Sequence, residues 1–163
     1  MAANLKRSKE TKDEFEHWFK NDKPDVVHCH NLFPLITPVV FEVCRNHNIP
    51  VVQTLHNYRL LCVNTLFYRN GNICEDCLSG SLKEGVKHNC YNGSKIQSYL
   101  MANALNHHRQ RNTWNEQVDR YICLSEFAKS KFIQGGIQSD KLSVKANFVK
   151  DPETEVSYEE FFL

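Results

Sequence analysis

The sequence predicts an α/β domain built on a parallel sheet, and three observations carry that prediction. Pro24-Asp25-Val26-Val27-His28-Cys29-His30-Asn31 and Pro50-Val51-Val52-Gln53-Thr54-Leu55-His56-Asn57 are short β-branched runs, each led by proline and closed by His-Asn. Between them Val39, Val40, Val43, Cys44 and His47 recur at helical spacing. A third apolar run, Val118 to Leu124, reads as another buried strand. Strand, helix and strand make a βαβ unit whose strands have to be parallel, since a helical crossover returns the chain to the same edge. Side chains at the carboxyl ends of both strands therefore share one border of the sheet, where open α/β sheets bind ligands.

The elements follow in order. Phe15, Trp18 and Phe19 lie at helical spacing in a charged segment and predict an amphipathic helix over 8–21. Pro24-Asp25 introduces the first strand. Thr37 followed by Pro38 reads as an N-cap and first-turn pair for the next helix, which Asn48 stops. Side chains alternate along a strand, so His28 and His30 share one face and Cys29 takes the other. A metal held by both histidines lacks a neighbouring carboxylate, and His28 is read as packed and satisfied within the sheet. His30, Asn31, His56 and Asn57 are left as crevice-lining residues.

From 57 to 94 helical periodicity is weak. Thr65 to Arg69 is expected to form a short strand turning at Asn70-Gly71, and so long a connection in a compact domain is functional or held by something. Ile96, Leu100 and Ala104 begin a long helix expected to run to Trp114, with His107, His108, Arg109 and Arg111 in its second half. Ser125 caps a helix carrying Ala128 and Phe132 on one face and ending at Gly135-Gly136. Leu142 to Ala146 is the last strand. The tail Tyr158-Glu159-Glu160-Phe161-Phe162-Leu163 ends on bulky apolar residues, as if the chain stopped short of a partner segment.

With 20 basic and 19 acidic residues, the charge balance gives no electrostatic basis for nucleic acid as a partner. The chain holds no run of eighteen apolar residues, and its start is too polar for a signal peptide, so a cytoplasmic protein is expected. Of the seven cysteines, Cys29, Cys44 and Cys123 sit in apolar runs and read as small core residues. Cys62, Cys74, Cys77 and Cys90 fall in one polar stretch. Four thiolates can surround Zn²⁺ at about 2.3 Å, and Cys74-Glu75-Asp76-Cys77 lets two meet one ion without strain. The outer spacings of eleven and twelve residues are not those of a common finger. Structural zinc, a pair of disulfides and free thiols are therefore the three readings of this group. Catalytic zinc is disfavoured because four cysteines leave no open position, and a redox dithiol because polar loop flanks both thiols.

Lys23 to Asn31, Thr54 to Cys62, Arg69 to Cys77, Cys90 to Ser94, Val118 to Ala128 and Lys141 to Val149, taken in this order, resemble the N-terminal domain of family-4 glycosyltransferases. The resemblance covers roughly 10–152. It implies a partial Rossmann-like domain of GT-B type over 1–152, with a cysteine-containing insertion at about 57–94. Residues 153–163 become a C-terminal tail that starts a missing linker.

The resemblance also implies a retaining transfer of sugar from a nucleotide sugar to a glycan or lipid-linked acceptor, with no metal or cofactor in catalysis. The N-terminal domain of such enzymes binds the acceptor. The family's histidine falls on His56, as the residue that would hydrogen-bond the transferred sugar. Asn57, Tyr58 and Arg59 would line the acceptor side with His30 and Asn31. Arg109, with His107 and His108, is offered to the same cleft against the plainer reading of a solvated helix face.

Departures from the family pattern are Ala146 and Val63 in place of prolines, an absent opening strand, and an absent donor-binding domain with its Glu-x₇-Glu pair. The chain is thus expected to be inactive alone, with a separate chain carrying the C-terminal domain as a partner the resemblance allows. A peripheral place at the inner face of the membrane fits the lipid-linked acceptor. The alternative is a zinc-stapled, non-catalytic α/β module that binds a glycan or a protein.

Overall fold

The computed structural model describes residues 5–149; the tail expected to seek a partner segment lies outside the described residues. Helix α1 (Lys9–Asn21) is capped by Ser8, whose side chain accepts from the Thr11 amide. Its aromatic stripe turns inward only in part: Phe19 is buried and meets Phe15 edge to face at 5.6 Å, while Trp18 is exposed. Strand β1 (Val27–Cys29) leads to helix α2 (Val39–Asn46), which buries Val39, Val40, Phe41, Val43 and Cys44. Asn48 stops that helix by adopting φ 53°, and strand β2 (Val51–Leu55) follows. The two helices are joined by a 2.8 Å contact from His47 Nε2 to Glu16.

One expectation at this crossover is corrected. Thr37 does not cap α2. Its backbone sits at φ 65°, its hydroxyl accepts from the Ser8 amide at 3.2 Å, and Pro38 occupies the cap position. The buried hydroxyl thus fastens the start of α1 to the start of α2.

Strand β5 (Arg120–Cys123) and strand β6 (Leu142–Val144) complete a four-stranded sheet of order β1-β2-β5-β6, parallel throughout; β3 and β4 belong to the insertion described next. Val27 pairs with Val51 and Cys29 with Gln53, so the βαβ unit is present in the predicted register of faces. Asp119 fastens the opposite end. Its Oδ2 accepts from Val51 N at 2.7 Å, while its own amide donates to Val51 O at 3.0 Å. Cys29, Cys44 and Cys123 are buried, as their apolar context requires.

The insertion is more structured than periodicity suggests. Strands β3 (Tyr68–Arg69) and β4 (Asn72–Ile73) form the hairpin expected at Asn70-Gly71, both turn residues having positive φ. Two short helices follow, α3 (Asp76–Ser79) and α4 (Lys83–Lys87). The long helix α5 (Lys95–Gln110) ends sooner than expected. Asn112 adopts φ 50° and breaks it, so Trp114 falls in a separate turn, α6 (Thr113–Glu116). Helix α7 (Glu126–Gln134) starts at its Ser125 cap and finishes where Gly136 takes φ 92°.

Candidate functional site

The parallel register delivers His30 and His56 to the same border of the sheet. His30 Nδ1 lies 2.7 Å from His56 Nε2, and the two rings stack with centroids 5.0 Å apart. His28 stacks behind His30 at 4.6 Å and bonds Thr54 Oγ1 through Nε2 at 2.8 Å. His28 is thus satisfied as expected, but by a hydroxyl at an exposed position rather than by packing. Partial desolvation, with the neighbouring His30, His56 and Lys145 adding to it, lowers its pKa.

A pocket of about 250 Å³ opens at this border. His30, Asn31, Gln53, Thr54, His56, Asn57 and Arg59 supply its polar lining, and Leu32, Phe33, Leu55 and Leu60 its apolar part. Asn57 Nδ2 donates to Asn31 Oδ1 at 3.1 Å, and Asn57 Oδ1 accepts from the Arg59 amide at 3.0 Å. These two amides lock the His-Asn ends of both strands together. The repeated dipeptide is therefore a paired feature of the rim.

Five of the seven residues expected at the substrate crevice gather here: His30, Asn31, His56, Asn57 and Arg59. Two stand elsewhere. Tyr58 stacks on Phe67 at 4.5 Å and leans on Phe132 at 5.7 Å, so its ring belongs to the apolar core side. Arg109 donates to the Leu61 carbonyl at 2.8 Å and holds the loop after the pocket rather than lining it. Its neighbour His108 is buried, not solvated: Nε2–H donates to Lys6 O at 3.0 Å and Nδ1 takes the Thr113 hydroxyl at 3.2 Å. Burial pushes its pKa down to about 4.

Gln53 and Thr54 are pocket residues that sequence reasoning missed. The cue was a glutamine inside an otherwise apolar strand. Gln53 is 5% exposed; its amide nitrogen donates to His30 O at 3.2 Å, while Oε1 has no partner. A buried polar atom left unmatched beside a pocket is the kind of group a ligand or ordered water satisfies.

No disulfide joins the four insertion cysteines; Cys62 and Cys77 are buried, and Cys74 and Cys90 are half-buried. The neighbouring Cys77 thiol and the backbone of Phe67, Asn64 and Thr65 lower the Cys62 pKa, while the Cys62 sulfur and burial raise that of Cys77. Among the described residues, no three of the four sulfurs lie within 4.8 Å of one another; Asp76, Glu84 and His88 do so beside them.

No helix among the described residues is long and apolar enough to cross a membrane. Comparison with curated proteins and with solved structures finds no match. The family model for Glycosyltransferase Family 4 matches residues 3–151, which takes in every element described above. A match of that extent settles the family: the chain belongs to Glycosyltransferase Family 4, and its function is of the glycosyltransferase type.

Proposed function

We propose that this domain is the acceptor-side half of a retaining glycosyltransferase. In that reading it presents the rim pocket to a glycan or lipid-linked acceptor while a nucleotide sugar is held by a second domain. The observation that carries this is the His30–His56 pair. A neutral imidazole has one N–H and one lone pair. When two neutral rings share a hydrogen bond, the two nitrogens left over are always one donor and one acceptor. Here these are His30 Nε2 and His56 Nδ1. A hydroxyl both donates and accepts, so sugar hydroxyls match each of these nitrogens, and Asn31 and Asn57 add further amide groups beside them.

His56 is the residue assigned to the transferred sugar, where a neutral ring orients a hydroxyl and stabilises developing charge. Rate enhancement by proximity needs both substrates held together, so in this reading the domain binds acceptor while the donor is held opposite it. Placement in the cytoplasm, peripherally at the membrane face, accords with a lipid-linked acceptor.

The test is an NMR titration of the chain with oligosaccharide and lipid-linked acceptor mimics, alone and with nucleotide sugars. Shifts at His30, His56 and Asn57 are expected. His56→Ala should weaken binding by about tenfold, the loss of one hydrogen bond of about 1–1.5 kcal/mol. Binding unchanged in a folded His56→Ala variant, or turnover by the chain alone, overturns the assignment.

A further inference from the structure

The rim pocket carries a charge that its internal hydrogen bonds do not account for. Its lining holds no aspartate and no glutamate, and Arg59 is the one Lys or Arg side chain among the lining residues. Three contacts fix Arg59 in place. Its amide donates to Asn57 Oδ1 at 3.0 Å, which ties its backbone to the His-Asn rim. Its Nη1 donates to Val63 O, and the guanidinium carbon stands 5.0 Å from the centre of the Tyr91 ring. A guanidinium stacked on an aromatic face and pinned at one nitrogen loses little freedom when it meets a ligand.

That guanidinium is underused. The bond to Val63 occupies Nη1 and leaves Nε and Nη2 without an acceptor among the described residues. No carboxylate of the described residues lies within 4 Å of it. Arg59 is also half-buried, so its charge is only partly solvated and a counter-charge would offset the loss. Gln53 lines the same pocket with the opposite demand. Its amide nitrogen donates to His30 O, so the unmatched Oε1 is an acceptor that suits a hydroxyl. The lining thus presents an acceptor at Gln53, both roles at the histidine pair, and charged donors at Arg59. A neutral sugar satisfies the first two and leaves the third unmatched.

We propose that the acceptor held in this pocket is anionic, its phosphate or carboxylate taken by Arg59 while its hydroxyls meet Gln53 and the two histidines. The proposal rests on the acceptor-side reading above and narrows it to a substrate class. A planar guanidinium can give two parallel hydrogen bonds to the oxygens of either group, and such charge-assisted bonds are stronger than neutral ones. Arg109 is the contrast. It donates to Leu61 O in the same manner but lies outside the pocket lining, so its role ends at holding the loop.

The experiment is an NMR titration of the full chain, read at His30, His56 and Arg59. The probes are the methyl glycoside, the 1-phosphate and the uronate of glucose, galactose and mannose, with uridine diphosphate alongside. In at least one series a charged sugar should bind about tenfold more tightly than the neutral glycoside, and added salt should shrink that margin. This comparison needs no variant to fold. The tighter of the phosphate and the uronate identifies the source of the oxyanion. Arg59→Gln should erase the margin, Arg59→Lys should keep part of it, and Arg109→Gln should keep all of it. Equal binding of neutral and charged sugars, or a margin intact in Arg59→Gln, overturns this proposal and leaves the acceptor reading standing. No shift with any sugar overturns both. Uridine diphosphate bound more tightly than every charged sugar, through Arg59, assigns the cation to the donor and overturns the proposal as well.

Discussion

The parallel sheet and the 57–94 insertion hold together by different means. In the sheet and α2, apolar side chains on one periodic face vanish from solvent: Phe41, Val43, Cys44, Val51, Tyr121 and Cys123 are all at 0% exposure. In the insertion, the stretch Leu60 to Val63 enters the core as a block, and Phe67, Cys77 and Leu82 enter it singly without a period. The remainder adds backbone turns, the Arg69–Asp76 and Lys131–Glu75 pairs at 2.8 and 2.7 Å, and Arg59 and Arg109 reaching carbonyls on either side of Cys62. A region built by periodic burial is insensitive to any one polar contact. One built by turns and single contacts depends on each of them.

The largest effect should come from the periodic side. Phe41→Ala empties a fully buried site and should lower the unfolding free energy by about 3–5 kcal/mol in chemical denaturation. A loss under about 1 kcal/mol would mean that α2 is not the keystone of the sheet layer.

His108 gives the next effect, through pH. Its folded-state pKa, about 4, lies below the ordinary value of 6.5, because burial penalises the charged ring. The unfolded chain therefore binds the proton more readily as pH falls. Stability from this group is complete above about pH 6.5, drains away as pH drops toward about 4, and amounts to about 3 kcal/mol in all. Urea midpoints measured across that window, with His108→Gln as the flat control, check it.

The smallest of the three sharpens the contrast from the insertion side. A methyl group on Gly85 would stand 2.6 Å from Val63 Cγ2 and 2.7 Å from its Cβ. Val63 is β-branched and fully buried, so it cannot swing aside cheaply. Gly85→Ala should cost about 1–3 kcal/mol, with faster hydrogen exchange confined to 57–94. A neutral result would show α4 riding free of the core block.

The same division decided what could be read from the sequence. Strands and helices with an apolar period were legible, and with them the meeting of His30 and His56, because parallel strands leave no other arrangement. Details set by one tertiary contact were not. Thr37 looks like a cap until Ser8 claims its hydroxyl. Arg109 looks solvated until Leu61 O meets it, and Tyr58 looks like rim until Phe67 and Phe132 take its ring. The end of α5 turns on the left-handed backbone of Asn112, a conformation that asparagine tolerates without announcing. Gln53 was legible in kind, as a polar residue in a buried strand, but its unmatched Oε1 is visible only once the neighbours are placed.

The short imidazole–imidazole contact at the rim has one more consequence. Moving a single proton across 2.7 Å, with a compensating shift at the outer nitrogens, reverses which ring gives and which takes, without displacing any heavy atom. A surface of this kind has no fixed polarity toward what it touches. It can greet a hydroxyl turned either way, so selectivity among sugars would have to come from the shape of the neighbouring walls.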